Sequence, residues 1–206
     1  MNFVVLGATG RTGRLVVEQA IAAGHTVTAL VRSPEKLTTG NSNLRVISGE
    51  ATDASAVSRA LKGADAVIST LGGKGSLIAD STQAIVTAAR AAGVSRVVVL
   101  SSWVVERSQM DVMTRFLTGI TMGPVIRDKS AGEHVLRQSD LEWTIVYPSL
   151  LTDGPATGSV AVLPEGAKRR MSERISRADV AAWMVQAAAG DQYNGRSIGI
   201  TGDHRA

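Results

Sequence analysis

The chain of 206 residues contains no cysteine, which excludes disulfide bonds, thiolate metal sites and a cysteine nucleophile. Aromatic residues make up only 3% of the chain and are scattered, so the stacking aromatics of a nucleic-acid binder are missing. No apolar run approaches the roughly 20 residues that a membrane-spanning helix needs, and no basic leader precedes the first apolar run. These absences predict a cytoplasmic protein that binds neither nucleic acid nor membrane.

The remaining composition is that of an ordinary globular chain, with 44% hydrophobic residues, 19% charged residues and a net charge of +4. We expect a single domain over residues 1–206, as a monomer or a small homo-oligomer. The tightest basic cluster is Lys168-Arg169-Arg170. This cluster could steer an anionic acceptor toward a site, or it could be part of a solvated loop.

Short β-branched runs alternate with longer segments of helical period, which is typical of a parallel sheet covered by helices on both faces. The pattern predicts strands at 3–6, 25–31, 44–48, 66–70, 96–100, 143–147 and 197–201. It predicts helices at 13–24, 54–61, 76–92, 126–138 and about 180–188. The expected fold class is therefore α/β, with a doubly wound sheet.

Two segments interrupt this alternation. Residues 103–124 carry Met110, Met113 and Met122 among polar residues and are predicted to be irregular or helical, whereas residues 151–175 are punctuated by Gly and Pro. Each segment follows a predicted strand, so both should flank the cleft at the carboxyl ends of the strands. They are candidates for the substrate side of a site, although the methionines could equally fill gaps in the core.

A glycine-rich turn directly follows the first predicted strand: Gly7-Ala8-Thr9-Gly10-Arg11-Thr12-Gly13. Gly7 and Gly10 allow the backbone to turn tightly and to approach a diphosphate, and Gly13 allows the next helix to pack closely on the strand. The positive end of that helix favours an anion. The turn predicts a dinucleotide site, and a glycine-rich turn without a ligand is the alternative.

Arg32-Ser33 ends the second predicted strand, about twenty residues past the last glycine, where an acidic residue would bind the ribose of NAD. A guanidinium group there matches a 2′-phosphate instead, so the predicted cofactor is NADP(H). An exposed arginine at the sheet edge is the alternative. Arg11 could add a second positive contact, or it could be a solvated arginine at the start of the helix.

Two further positions follow predicted strands. Asp53 could accept a hydrogen bond from the adenine amino group, and it is also a good N-cap for the helix that begins at Ala54. Leu71-Gly72-Gly73 would let the chain pass close to a cofactor, or it could be a plain turn. Both positions are candidate cofactor contacts.

The same residues and three later stretches resemble the atypical short-chain dehydrogenase/reductases over nearly the whole chain. The later stretches are Ser101-Ser102-Trp103, Lys129-x-x-x-Glu133-x-x-Leu136-Arg137-x-Ser139, and Trp143-Thr144-Ile145-Val146-Tyr147-Pro148. More narrowly, the chain is similar to the NAD(P)H-binding group that includes biliverdin reductase B, a flavin reductase, and NmrA-like proteins.

This resemblance implies a Rossmann fold with strand order 3-2-1-4-5-6. It implies that the phosphates bind at residues 9–12, the 2′-phosphate near Arg32 and Ser33, and adenine near Asp53 and Ala54. It also implies further cofactor contacts from four residues at the ends of the fifth and sixth strands, which are Ser101, Pro148, Ser149 and Leu150.

The family pairs a proton-donating Tyr with a Lys four residues later. Lys129 matches that Lys and is expected to contact the ribose, but Val125 occupies the Tyr position. Ser102 matches the Ser that orients nicotinamide or substrate, and Leu150 stands where flavin-reductase relatives have a His. From the residues alone, Lys129 and Glu133 could also be a simple helix-surface pair.

The missing Tyr argues against alcohol oxidation. It favours an NADPH-dependent reductase of a planar acceptor such as a flavin, a quinone or a linear tetrapyrrole, which could take its proton from water. The alternative is a non-catalytic NADP(H) sensor of NmrA-like type. An epimerase or dehydratase of nucleotide sugars is a third reading, although the chain is short for it. No pair of the three His residues has metal-ligand spacing.

Overall fold

The structure, a computed structural model, describes residues 1–37, 40–73, 75–106, 112–167 and 172–202, with only the backbone for residues 112–120. The strands are β1 Asn2–Leu6, β2 Thr26–Val31, β3 Leu44–Ser48, β4 Ala66–Ser69, β5 Arg96–Leu100, β6 Glu142–Pro148, β7 Leu150–Thr152, β8 Val160–Leu163, β9 Arg174–Ser176 and β10 Arg196–Gly202. The helices are α1 Arg11–Ala22, α2 Ala54–Leu61, α3 Leu77–Ala92, α4 Val112–Arg137 and α5 Arg177–Ala189, with 3₁₀ turns at Pro34–Lys36 and Trp103–Val105.

The main sheet of the described residues has the order β3-β2-β1-β4-β5-β6-β10-β8. Its strands are parallel except β8, which pairs antiparallel with β10. The predicted order 3-2-1-4-5-6 and the doubly wound α/β class are therefore confirmed, and the last predicted strand extends the sheet as β10. A second, two-stranded sheet joins β7 to β9.

Helices cover both faces of the sheet, which explains why the central strands are almost continuously apolar. One buried cluster packs α1 and α5 on one face, with Val16 and Met184 in its interior. The other cluster packs α2, α3 and the end of α4 on the opposite face, with Ile85 and Leu136 in its interior. Neighbouring residues of one strand, such as Val4 and Val5, belong to opposite clusters.

The strand order reverses beside β1. From β1 the chain crosses through α1 to β2, whereas β4 pairs with the opposite edge of β1 and the chain continues from it to β5. In a doubly wound sheet, this switch point opens a crevice outside the carboxyl ends of the strands. The glycine-rich turn after β1 and the 71–73 segment after β4 both lie there.

Two predictions about the interruptions need correction. The helix predicted at 126–138 begins at Val112 and runs through Pro124, because the pyrrolidine removes one backbone N–H without stopping the helix here. The 151–175 segment contains three short strands, which a local pattern does not reveal because each pairs only with distant residues. Among the described residues, no helix is both long enough and apolar enough to cross a bilayer.

Candidate functional site

The backbone of the turn between β1 and α1 packs so closely against neighbouring atoms that glycine is required there. Gly7 has a φ of +81°, and its carbonyl oxygen accepts a hydrogen bond of 2.9 Å from the Gly10 amide. A Cβ added at Gly13 would lie 2.0 Å from the Gly7 oxygen and 2.7 Å from Thr70 Oγ1. The helix thus begins in direct contact with both β1 and the end of β4.

The N-terminus of α1 has no side-chain cap, because its capping residue is Gly10. The first intrahelical bond is formed by the Arg14 amide to the Gly10 oxygen, so the amides of residues 11–13 have no partner within the helix. Thr12 and Gly13 are buried in this first turn. Free amides at a helix N-terminus suit the diphosphate of a dinucleotide.

Two adjoining grooves flank this turn, and both are lined by Thr70, Leu71 and Gly72. The first groove, of about 160 Å³, runs toward β2 and β3. The second groove, of about 380 Å³, runs toward β5, β6 and the start of α5. A dinucleotide can therefore span the switch point with one half in each groove, and the residues present fit this type of cofactor.

The grooves bring together most of the predicted site residues. Those lining the first groove are Gly7, Thr9, Gly10, Arg32, Leu71 and Gly72. Those lining the second groove are Thr12, Leu71, Gly72, Ser101, Ser102, Lys129, Pro148, Ser149 and Leu150. Five predicted residues line neither groove: Arg11, Gly13, Ser33, Asp53 and Ala54.

Arg32 lies at the rim of the first groove with Glu50 beside it. The distance from Arg32 Nε to Glu50 Oε2 is 4.0 Å, and both side chains are mostly exposed. Glu50 follows the neighbouring strand β3 and also lines the groove. The positive charge expected for a 2′-phosphate is therefore present, but it shares the rim with a carboxylate.

Asp53 caps α2, as one of the two sequence interpretations predicted. Its Oδ1 accepts a hydrogen bond of 2.8 Å from the Ser55 amide. Ala54 is the first residue of that helix. Ser33 occupies the capping position of the short 3₁₀ turn Pro34–Lys36, but its side chain makes no capping bond. A role for these residues at adenine or the 2′-phosphate stays a prediction.

Both ionisable side chains in the described lining of the second groove are cations, Lys129 and Arg177. The Nζ of Lys129 donates a 3.4 Å hydrogen bond to the Leu100 carbonyl. Burial lowers the pKa of Lys129, and the charges of Glu133 and Asp128 oppose that shift. Val125, at the position of the family's Tyr, lies one turn before Lys129 in α4.

Glu133 is the centre of a polar cluster, which we call the Glu133 cluster: the buried residues Ser101, Glu133 and Tyr147 and the more exposed Arg137. Its two carboxylate oxygens accept hydrogen bonds of 2.5 Å from Ser101 Oγ and from the Tyr147 hydroxyl. Arg137 forms an ion pair of 3.1 Å with Glu133 and donates to Tyr147 at 2.8 Å. The interpretation of Lys129 and Glu133 as a surface pair is wrong, since Glu133 is only 4% exposed and faces β5 and β6.

Tyr147 does not take the place of the missing Tyr. It is fully buried, and its hydroxyl is engaged by Glu133 and Arg137. Burial, together with the Glu133 charge, raises the pKa of Tyr147 far above its ordinary value. The pKa of Arg137 is raised by Tyr147 and Glu133, although burial alone would lower it.

At the mouth of the cleft, Asp153 binds two arginines. It pairs with Arg11 from the first turn of α1, and Arg177 Nη1 lies 2.8 Å from its Oδ1. Arg11 is therefore paired with Asp153 while its side chain stays largely exposed, and it lines neither groove. The predicted steering cluster Lys168-Arg169-Arg170 lies outside the described residues.

The two interrupting segments contribute unequally to the cleft. Trp103 and Leu151 line the second groove. Residues 162–166, by contrast, line a separate groove beside β10. Met110 lies outside the described residues, and Met122 is exposed on α4, which contradicts a core role for it.

The sequence did not predict several residues of the grooves, among them Glu50, Thr70 and Arg177. Thr70 was predicted only as a strand residue, although it follows β4 at the switch point, which is a usable signal. Arg177 and Glu50 carry no local signal, because only the fold brings them to the glycine-rich turn. Among the described residues, no group of three or more potential metal ligands comes together.

Comparison with known proteins agrees with this geometry. A family model described as NAD(P)H-binding matches residues 7–191. A (4-alkanoyl-5-oxo-2,5-dihydrofuran-3-yl)methyl phosphate reductase of Streptomyces griseus is 30% identical over 204 residues, covering 97% of this chain and 67% of the relative.

Solved structures share the whole fold. An anaerobillin reductase from Escherichia coli O157:H7, ChuY, superposes with a TM-score of 0.82 at 26% identity, covering 100% of this chain and 99% of that one. A short-chain dehydrogenase/reductase of Veillonella parvula in complex with NADP gives a TM-score of 0.84 at 18% identity, covering 98% and 95% of the two chains. The chain described here therefore has the Rossmann fold and belongs to the NAD(P)H-binding family.

Proposed function

We propose that this protein is an NADPH-dependent reductase of a planar acceptor, such as a flavin, a quinone or a linear tetrapyrrole. The observation that carries the proposal is the pair of grooves joined at Thr70, Leu71 and Gly72, with an uncapped helix N-terminus between them. Bound NADPH would supply a hydride. The second groove would hold the acceptor beside the nicotinamide half of the cofactor.

The residues have distinct roles in this proposal. The glycine-rich turn and the first amides of α1 bind the diphosphate, and Arg32 with Ser33 binds the 2′-phosphate. Ser102 orients the nicotinamide or the acceptor, and Lys129 contacts the ribose. Arg32, Ser102 and Lys129 line the grooves in which these roles would be performed, whereas Ser33 lines neither groove.

The walls of the second groove suit a flat acceptor. Trp103, Pro148, Leu150 and Leu151 give it apolar surface, and Gly72 has no atom within 4 Å of an added Cβ, which leaves open space. Stacking and orientation are the main requirements for hydride transfer between two planar rings. Two relatives named as reductases, of a furanone-type phosphate and of anaerobillin, support a reductive reaction.

The test is steady-state oxidation of NADPH with FMN, riboflavin, biliverdin and menadione, each compared with the reaction without protein. We expect turnover with at least one acceptor and slower turnover with NADH. A rate equal to the background for all four acceptors would reject the reductase. Leu150→Trp, which should fill the second groove, is expected to raise the KM for the acceptor.

Val125 favours one second candidate, a non-catalytic sensor of NADP(H), because the family's proton donor is absent at that position. A sensor should bind NADP⁺ and NADPH with different affinities in calorimetry and should capture a partner without consuming the cofactor. Consumption of NADPH in the acceptor assay decides against this candidate.

A further inference from the structure

The proposed reaction needs a proton as well as a hydride, and the residue that normally donates it is replaced by Val125. We propose that Lys129 donates this proton directly to the acceptor and that Glu133, one turn later in α4 and hydrogen-bonded to Ser101, is the positioning residue of this site. This inference rests on the proposed function and extends it from binding to chemistry.

Geometry places Lys129 where an acid is required. Its side chain lines the second groove together with Ser101, Ser102 and Pro148, at the carboxyl ends of β5 and β6. An ammonium group has three N–H donors, and the Leu100 carbonyl, at 3.4 Å, accepts one of them. Among the described lining residues, Lys129 and Arg177 are the charged donors, and a guanidinium group does not release its proton in proteins.

The hydroxyls of the groove are poor substitutes for this acid. Ser101 Oγ directs its own proton to Glu133 at 2.5 Å, so it offers the groove its lone pairs and acts there as an acceptor. Tyr147 likewise directs its proton to Glu133 and is fully buried. The hydroxyls of Thr12, Thr70, Ser102 and Ser149 also line the groove, but an alcohol is a far weaker acid than an ammonium group, so we assign the proton to Lys129.

Two carboxylates of α4 oppose the effect of burial on the pKa of Lys129. Glu133 and Asp128 on α4 are the acidic groups that act on Lys129, and Asp128 is itself held by the amides of Ile78 and Ala79 at 3.0 and 2.9 Å. From β6, Tyr147 faces the same carboxylate, and Arg137 pairs with it. From α5, the cation Arg177 lines the same groove.

The proton step is balanced. An N–H bond of the Lys129 ammonium breaks, and its proton joins the acceptor atom that holds the electron pair gained on reduction. The neutral amine then recovers a proton from water through the open groove. Since burial lowers the pKa of Lys129, the amine form becomes populated at a lower pH than for an ordinary lysine. Activity should therefore fall as the pH rises through this pKa.

The experiment measures kcat and KM against pH, with the fastest of FMN, riboflavin, biliverdin and menadione as the acceptor. The kcat of the wild-type protein should decrease as the pH rises into the alkaline range. Lys129→Met and Lys129→Arg should both lower kcat at saturating NADPH by about 100-fold or more. In both variants, the alkaline limb of the pH profile, which is the decrease of kcat at high pH, should be absent. Lys129→Arg should keep its affinity for NADPH, because the cation remains. Lys62→Met, at an exposed lysine far from the grooves, is the matched control and should behave as wild type.

A readout independent of turnover is the NMR titration of the lysine side chains in the cofactor-free protein. The Lys129 signal should titrate at a lower pH than an ordinary lysine. Glu133→Gln should move both this titration and the alkaline limb of kcat to lower pH, because it removes a charge that favours the ammonium.

The possible failures are distinguishable. If wild type oxidises no NADPH with any acceptor, the proposed function and this role both fall. If wild type turns over but Lys129→Met keeps its kcat and its alkaline limb, the role of Lys129 is wrong and the reductase stands. If the variants change only the KM for NADPH, Lys129 contacts the ribose and donates no proton. An unshifted titration in Glu133→Gln would exclude Glu133 as the positioning residue.

Discussion

Arg32 and Glu50 lie at the tips of adjacent strands, and together they set the charge at the rim of the first groove. The sequence predicted Arg32 because its distance from the glycine-rich turn is characteristic. It did not predict Glu50, whose position relative to Arg32 depends on the parallel pairing of β2 with β3. At 4.0 Å, with both side chains mostly exposed, the pair contributes little stability and its charges stay available to a ligand.

Replacing Arg32 with Asp should therefore weaken NADPH binding at least about tenfold and leave NADH binding similar or improved, since one charge-assisted contact to the 2′-phosphate is lost. Glu50→Gln is the opposite change at the same rim and should tighten NADPH binding while leaving NADH unchanged. Isothermal titration calorimetry measures both. Equal losses for the two cofactors in Arg32→Asp would refute the assignment of Arg32.

Gly13 is the residue on which the packing of the glycine-rich turn depends. An added Cβ would lie 2.0 Å from the Gly7 carbonyl oxygen, and a backbone atom cannot move aside as a flexible side chain can. We expect Gly13→Ala to lower the free energy of unfolding by at least about 2 kcal/mol, as overpacking does, and to abolish NADPH binding.

The matched control is Gly123→Ala, also inside a helix, where the nearest atom to an added Cβ is the end of the Arg127 side chain at 3.5 Å. This change should leave stability unchanged or raise it by up to about 1 kcal/mol, because alanine is the better helix former. Urea denaturation of wild type and both variants measures these differences in the free energy of unfolding. A Gly13→Ala protein as stable as wild type would contradict the close packing described here.

The N-terminus of α5 is capped by reciprocal hydrogen bonds between Ser176 and Asp179, and Asp179 also binds a loop that is distant in sequence. Ser176 Oγ accepts from the Asp179 amide and donates to Asp179 Oδ2, at 2.9 and 2.7 Å. The Asp179 carboxylate further accepts hydrogen bonds from Thr157 and from the Gly158 amide. One buried side chain therefore joins the 157–158 loop to the helix that carries Arg177 into the second groove.

Asp179→Asn should cost about 1–3 kcal/mol at pH 7, the usual loss for hydrogen bonds to a charged group. Burial would raise the pKa of Asp179, but its hydrogen bonds from Ser176, Gly158 and Thr157 lower it overall. The stability it contributes is thus complete above the pKa of an unfolded aspartate, roughly 4, and is lost as the pH falls through the lower folded value.

Denaturant titrations of wild type and Asp179→Asn between pH 7 and pH 2 test this prediction. The difference in unfolding free energy should be largest near neutrality and should shrink at acid pH. Glu18→Gln, at an exposed glutamate of α1, serves as the control and should leave the unfolding free energy at pH 7 nearly unchanged. A gap between wild type and Asp179→Asn that widens on acidification would be incompatible with the assigned direction.

The elements differ in how well the sequence predicts them, and the reason is the range of their interactions. The strand at 44–48, the helix at 54–61 and the strand at 96–100 were predicted with their observed bounds, since each has a clear local period. For the first half of α4 the sequence left irregular and helical structure open, because Gly123 and Pro124 break its local pattern. The strands β7, β8 and β9 exist only through pairing with distant partners.

For the whole molecule, the sequence predicted the order of the sheet and the place of the cleft but not the full wall of the second groove. The glycine-rich turn is contiguous, so it can be read directly. The second groove draws its wall from segments that follow β1, β4, β5, β6 and β9, and from α4. One interpretation of the sequence placed Glu133 on the surface, but β5 and β6 pack against its helix. Glu133 is therefore buried and accepts hydrogen bonds from Ser101 and Tyr147.

The contact of Asp153 with Arg11 and Arg177 couples the first and last helices to the mouth of the cleft. Arg11 and Asp153 are largely exposed, so opening their pair costs little, about 1 kcal/mol or less. The Asp153 carboxylate thus pairs with Arg11 beside the amides that we propose to bind the diphosphate, and a nucleotide phosphate would also attract Arg11. A diphosphate bound as proposed would compete with the Asp153 carboxylate for Arg11, and exchange of this weak pair would free the 153 segment.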